Sequence, residues 1–98
     1  MRVPVTDQLL PLPAQDTSRA AVYSYAVINT GQHPVRVKLE ITPNGTDYAL
    51  DVEGIVAPGE TEVIVPSKFL KYTRVAVCTT EPGQTAVLSV YYQAQLVR

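Results

Sequence analysis

Apolar and polar side chains alternate most cleanly at residues 35–41. Val35, Val37, Leu39 and Ile41 share one face, and Arg36, Lys38 and Glu40 share the other. A period of two sends successive side chains to opposite sides of a pleated strand, so this stretch predicts a half-buried strand. The same period runs through residues 20–29, with Tyr23, Tyr25 and Val27 on one face and Val22, Ser24, Ala26 and Ile28 on the other. Neither of those faces is strongly polar, which predicts cover on both, one of them by another chain. Tyr48–Val52 reads as a strand with Tyr48, Leu50 and Val52 together, until Glu53-Gly54 breaks the alternation and predicts a bulge or bend. Thr61–Val65 predicts a strand with Val63 and Val65 inward. Tyr72–Thr79 predicts another, with Val75 and Val77 inward and Arg74, Ala76 and Cys78 opposite. The longest runs from Thr85 to Leu96. It sets Ala86, Leu88, Val90, Tyr92 and Ala94 against Val87, Ser89, Tyr91, Gln93 and Gln95.

Turn chemistry separates these strands. Asn29–Pro34, Thr42–Asp47, Ala57–Glu60 and Glu81–Gln84 carry the Gly, Pro and Asn that reverse a chain, and Asn44-Gly45 favours a tight hairpin. Pro66–Leu70 differs, because it joins two strands without a glycine and holds the only Phe. It predicts a corner between strands in which Phe69, Leu70 and Tyr72 anchor one end of the core. No stretch shows a helical period. The fold expected is all-β, a single antiparallel β-sandwich, immunoglobulin-like or jelly-roll-like, with about 6–7 strands. An extended Pro/Leu-rich arm at residues 1–19 precedes the sandwich at residues 20–98.

That arm changes the picture most. Pro4, Pro11 and Pro13 remove backbone donors and block a helix, leaving Val3, Val5, Leu9, Leu10 and Leu12 in need of a surface. Either the arm folds back on its own sandwich, or it lies on a neighbouring subunit by adding a strand to an open edge. Tyr23 and Tyr25 join those five residues as the expected subunit interface. With 98 residues the chain is one domain. Its Val and Tyr bias and its lack of Trp fit β structure.

Charge and composition narrow the function. The formal net charge is −1 and the Lys and Arg residues are scattered, which argues against nucleic acid as a partner. No apolar run approaches the roughly 20 residues that span a bilayer, so no membrane insertion is expected. Met1–Val5 lacks the apolar block of a signal peptide, so export without a signal, release by lysis, retention in the cell or a removed signal are all open. The single cysteine, Cys78, excludes an internal disulfide. It is either a semi-buried strand residue or an intermolecular crosslink.

Catalytic chemistry is not legible. The one histidine, His33, sits in a turn before a proline and has no partner motif. Structural zinc takes four Cys or His ligands, a set this chain lacks. Asp47, Asp51 and Glu53 are too loosely spaced for a calcium loop. Asn44-Gly45-Thr46 matches a glycosylation sequon, but a hairpin turn accounts for it. Tyr23, Tyr25, Tyr91 and Tyr92 are read as core or protein interface ahead of a sugar platform. No enzyme activity, cofactor, metal or small-molecule substrate is expected.

Several runs carry a resemblance. Val37–Tyr48, Val56–Thr61, Pro66–Arg74, Pro82–Thr85 and Tyr91–Gln95 are similar to a family of small β-sandwich domains of unknown function from spore-forming Firmicutes. The likeness covers roughly residues 20–96. It departs at Asn44, where that family has Asp, and at Tyr48, where it has Trp. It implies a sandwich and no catalytic residues. A looser resemblance is to endospore appendage subunits, small sandwiches with a flexible arm, although the paired N-terminal cysteines of some of those fibres are missing here. It implies a self-assembling fibre subunit, a homopolymer of identical copies joined by arm and strand addition, at an extracellular or spore surface. The alternative is a non-catalytic module binding carbohydrate or protein on a spore or phage surface.

Overall fold

The computed structural model describes residues 1–96. The period-two segments become strands β1 (Arg2–Val5), β2 (Leu10–Pro11), β3 (Gln15–Asp16), β4 (Ala20–Asn29), β5 (Val35–Thr42), β6 (Ala49–Val56), β7 (Thr61–Ile64), β8 (Tyr72–Thr79) and β9 (Ala86–Leu96). They form two antiparallel sheets. The first has the order β1-β9-β4-β7, and the second β2-β8-β5-β6 with β3 also on β8. Val5, Val27 and Leu88 from the first sheet meet Val35, Val37, Leu39, Val56, Val75 and Val77 from the second. Removing these branched side chains from water is what joins the two layers. The fold is therefore an all-β antiparallel sandwich.

The N-terminal segment lies on the sandwich of its own chain. β1 pairs with β9 through Val3↔Leu88 and Val5↔Ala86, which turns Val3 and Val5 into the core. The chain then crosses to the other sheet. The Thr79 amide donates to the Thr6 carbonyl at 2.9 Å, β2 and β3 pair with β8, and the Leu12 amide donates to the Val75 carbonyl at 2.7 Å. Val3 and Val5 are thus core residues here, not an exposed interface. Their alternation matches the inward face of β9, whose edge amides need a partner. Leu12 is half-buried against the core, while Leu9 and Leu10 stay exposed.

Three expectations from the pattern are corrected. In β7 the phase is reversed: Ile64 faces inward and Val63 and Val65 face out. β7 is an edge strand, so the carboxylate of Glu62, on the inward side opposite Val27, still reaches water. In β6 the irregularity sits at Asp51, not Gly54, because the register shifts between Leu39↔Val52 and Glu40↔Leu50. One extra residue flips the phase, so Leu50 points out while Val52 packs on the core.

The third correction concerns the corner. Phe69 does not anchor the core: it is 55% exposed, and Leu70 and Tyr72 are only half-buried. The bulged Asp51 explains the direction. Its carboxylate accepts hydrogen bonds from the Ser67 amide (3.0 Å), the Ser67 hydroxyl (2.5 Å) and the Lys68 amide (3.3 Å). The loop is held by its backbone, and its large side chain turns outward. That end of the core is filled instead by Tyr23 and Tyr25, both buried, with Tyr92 packed against them.

Turns behave as their residues dictate. Gly45 has a φ of 83°, the left-handed conformation that Asn-Gly favours. Gly31 is needed for space: a Cβ there would come within 2.8 Å of the Val87 nitrogen. Asn29 is fully buried and fastens the same loop. Its Nδ2 donates to the carbonyls of His33 (2.8 Å) and Val56 (3.0 Å), and its Oδ1 accepts from the Gly31 amide (2.9 Å).

Candidate interaction surface

The registers assign every outward position of the first sheet. Val22, Ser24, Ala26 and Ile28 on β4 lie between Ser89, Tyr91, Gln93 and Gln95 on β9 and Thr61 and Val63 on β7. Arg2 and Pro4 on β1 complete the face beside Ser89 and Val87. Val63, Ala26 and Tyr91 form one row across it. Among the described residues, Arg2 at the edge is the one charged side chain of this face. Val63 is 62% exposed and Tyr91 49%. Toward the corner, Val22, Val65, Pro66 and Phe69 line an open apolar notch with Lys68 at its rim. A contiguous exposed apolar area is the feature that marks an interaction site.

The outer face of the second sheet is charged, with Leu50 and Ile55 on β6 exposed among the charges. Arg36 pairs with Glu53 at 2.6 Å, and the Arg74 Nε donates to Glu40 at 2.8 Å. The Arg74 guanidinium also stacks on the Tyr48 ring, 3.5 Å from its centroid. Cys78 lies on this face opposite Arg36, half-buried and unpaired in the chain.

Beneath the uncharged face the two sheets are linked by hydroxyls. The Tyr23 hydroxyl and the Thr73 hydroxyl are 2.7 Å apart, and Tyr25 donates to the Thr73 carbonyl at 3.4 Å. The buried Thr17 hydroxyl lies 3.3 Å from that of Thr73 and donates to the Leu70 carbonyl at 3.0 Å. Burial pushes the Tyr25 phenol far above its ordinary range, with Tyr92 and Tyr23 adding to the shift. Burial also raises Tyr92, helped by Tyr23 and Asp16. The Ser18 side chain and amide hold the Asp16 carboxyl below its usual value.

The interface residues anticipated from the sequence are therefore divided. Tyr23 and Tyr25 are core, since each is 4% exposed and its polar tip is already bonded. Only Leu9 and Leu10 of that set present substantial apolar surface. The residues missed are Val22, Val63, Val65 and Tyr91. A signal existed in the unpolar second face of residues 20–29, whose partners on β7 and β9 only the register supplies. Among the described residues no group of three or more His, Cys, Asp or Glu side chains is placed to hold a metal ion.

Comparison with known proteins bears on the fold and the family. The crystal structure of PirA superposes with a TM-score of 0.74, over 95% of this chain and 92% of that one, at 14% identity. That likeness is one of fold. No curated protein matches the sequence. The family model described as a domain of unknown function, DUF6385, matches residues 16–96, from the last residue of β3 through the whole of β9. The chain therefore belongs to the DUF6385 family.

Proposed function

We propose that this domain is a non-catalytic, self-assembling structural subunit whose copies associate through the outer face of the first sheet. The observation that carries the reading is the near absence of charge on that face, combined with the exposure of Val22, Val63, Val65 and Tyr91. An uncharged face meets a copy of itself without like-charge repulsion, and apolar burial supplies the attraction. Strands about 4.8 Å apart, with the lengths seen here, give the face a projected area of roughly 450 Å². A single contact of that size is weak beside the ~800 Å² per partner of a stable complex. Repetition along an assembly compensates, and the exposed Leu9 and Leu10 offer a second, separate contact. Where each contact joins like faces, two different contacts per copy extend the pairing into an open fibre. The looser likeness of the sequence to endospore appendage subunits supports the same reading and an extracellular or spore-surface setting. In this version the arm's Val3 and Val5 stay with their own core, and the association uses sheet faces.

Sedimentation velocity across a concentration series, with negative-stain microscopy, tests this. Concentration-dependent oligomers or filaments are expected from the full chain. A monomer throughout, with no filaments, removes the proposal.

A second reading has one observation in its favour. Tyr91 is flanked by uncharged hydrogen-bonding groups on Gln93, Ser24 and Ser89, a surface that suits a neutral saccharide. A monomeric protein that binds glycans on an array, and loses them with Tyr91→Ala, would favour this module over the subunit.

A further inference from the structure

The loop between β5 and β6 holds a sequence prone to spontaneous chemistry. In an Asn-Gly pair the backbone nitrogen of the glycine can attack the Asn side-chain carbonyl carbon. A new N–C bond closes a succinimide ring, the bond from that carbon to the side-chain nitrogen breaks, and the nitrogen leaves as ammonia with the proton the glycine nitrogen gives up. Water then opens the ring to aspartate or isoaspartate. Glycine offers no side chain to obstruct the approach. Here the pair is Asn44-Gly45, on an exposed loop.

The nucleophile, the carbonyl oxygen and the leaving nitrogen of that reaction are all engaged elsewhere. The nucleophile, the Gly45 nitrogen, donates its hydrogen to the Thr42 hydroxyl at 3.1 Å. The same hydroxyl accepts from the Asn44 amide at 3.3 Å and donates to Asn44 Oδ1 at 3.0 Å. Oδ1 also accepts from the Thr46 and Asp47 amides, each at 2.9 Å. The leaving nitrogen, Nδ2, donates to the Asp47 carboxylate at 2.7 Å. Thr42 is fully buried, so its hydroxyl is a fixed point for the loop.

Two effects oppose each other. Donors on Oδ1 polarise the carbonyl and favour attack. Against that, the nitrogen must give up its bond to Thr42, and the side chain must turn toward it and break its bonds to the loop backbone. The second effect dominates, because one torsion cannot reach the attack geometry without losing several of these bonds together. We propose that Asn44-Gly45 is a latent self-modification site, kept unreactive in the folded protein by Thr42 and Asp47. The product matters to the loop as well. A carboxylate at position 44 would face Asp47 where an amide–carboxylate bond now stands, so modification would tend to hold the loop open.

The test is peptide mapping by mass spectrometry after incubation at mildly alkaline pH. The full-length folded protein, the same protein in urea, and a peptide spanning residues 41–49 are compared. The folded protein is expected to convert Asn44 far more slowly than the other two. Thr42→Val keeps the volume and removes the hydroxyl, and Asp47→Ala removes the exposed partner of Nδ2 without touching the core. In the folded state each is expected to raise the rate, by about tenfold for Thr42→Val. Conversion of the folded wild type at the peptide's rate would overturn the proposal. So would an Asp47→Ala protein, folded by circular dichroism, that reacts no faster than wild type.

Discussion

The two outer faces of this sandwich are built on the same alternation, yet they differ sharply in charge. The second sheet faces outward with Arg36, Lys38, Glu40, Glu53 and Arg74, four of them joined in ion pairs. The first sheet offers Val22, Ser24, Ala26, Val63, Tyr91 and Gln93. Either pattern holds the sandwich together, because only inward residues feed the core. The difference therefore says nothing about folding and bears on what each face meets. A charged face keeps its water and resists being covered. An uncharged one loses little on burial.

The severest way to break the comparison is to remove what supports both faces. Deleting residues 1–14 takes away β1 from one sheet and β2 from the other, with Val3 and Val5 from the core. Burial of a Val contributes about 1.5–3 kcal/mol, so two such losses consume much of a total stability of about 5–15 kcal/mol. Loss of the cooperative melting transition is expected in calorimetry, and a truncated chain that melts like the full one would contradict it. The arm is then a structural element of its own sandwich.

Alkaline pH strikes the buried tyrosines beneath the uncharged face. Neutral Tyr25 is the protonated form, and its folded pKa lies above the unfolded tyrosine value of about 10. Its contribution is complete below about pH 10 and is lost as pH rises from there toward the folded pKa. Tyr92 acts in the same direction. Tyr25→Phe should flatten the fall in stability above about pH 10, measured by urea unfolding, because no phenolate can then form at that site.

Changing the charge of one face at a time sharpens the contrast. Val63→Lys with Tyr91→Lys should weaken association at least about tenfold in sedimentation, while the matched Lys38→Ala leaves it unchanged. Both variants should keep their stability within about 0.5 kcal/mol, since all three side chains stand on the outer surface. Equal effects from the two faces would remove the distinction.

The smallest effects separate the two ion pairs of the charged face. Arg74→Ala should cost about 1 kcal/mol in denaturant unfolding, because its guanidinium loses both Glu40 and the Tyr48 ring. Arg36→Ala should cost under about 0.5 kcal/mol, as both partners are a third exposed.

Strand existence was legible because inward positions repeat every second residue. Val35–Ile41 and Ala86–Tyr92 needed no tertiary information. Phase failed where an edge relaxes the rule: at β7, Glu62 reaches solvent from the inward side, so Val63 and Val65 looked the better core pair. The corner failed for another reason. Phe69 is apolar and alone, and hydrophobicity placed it inside, whereas hydrogen bonds that the loop donates to Asp51, 16 positions away from Ser67, decide where the loop points. The interaction face was half visible, as a strand without a polar side, and became a surface only when β7 and β9 took their registers beside it. The fate of the arm was open because Val3 and Val5 suit any unpaired edge, and the vacant one on β9 belongs to the same chain.

Asp51 has one more consequence. Its extra residue on the edge of the second sheet sets the phase of β6, and its carboxylate fixes the loop carrying Phe69 to the notch on the first sheet. The spacing of that notch is thus gauged from the opposite layer. A one-residue deletion at position 51 would alter an outer face on each side of the molecule in a single step, although the two share no outward residue. The shape of a surface on one layer therefore depends on a residue at the edge of the other.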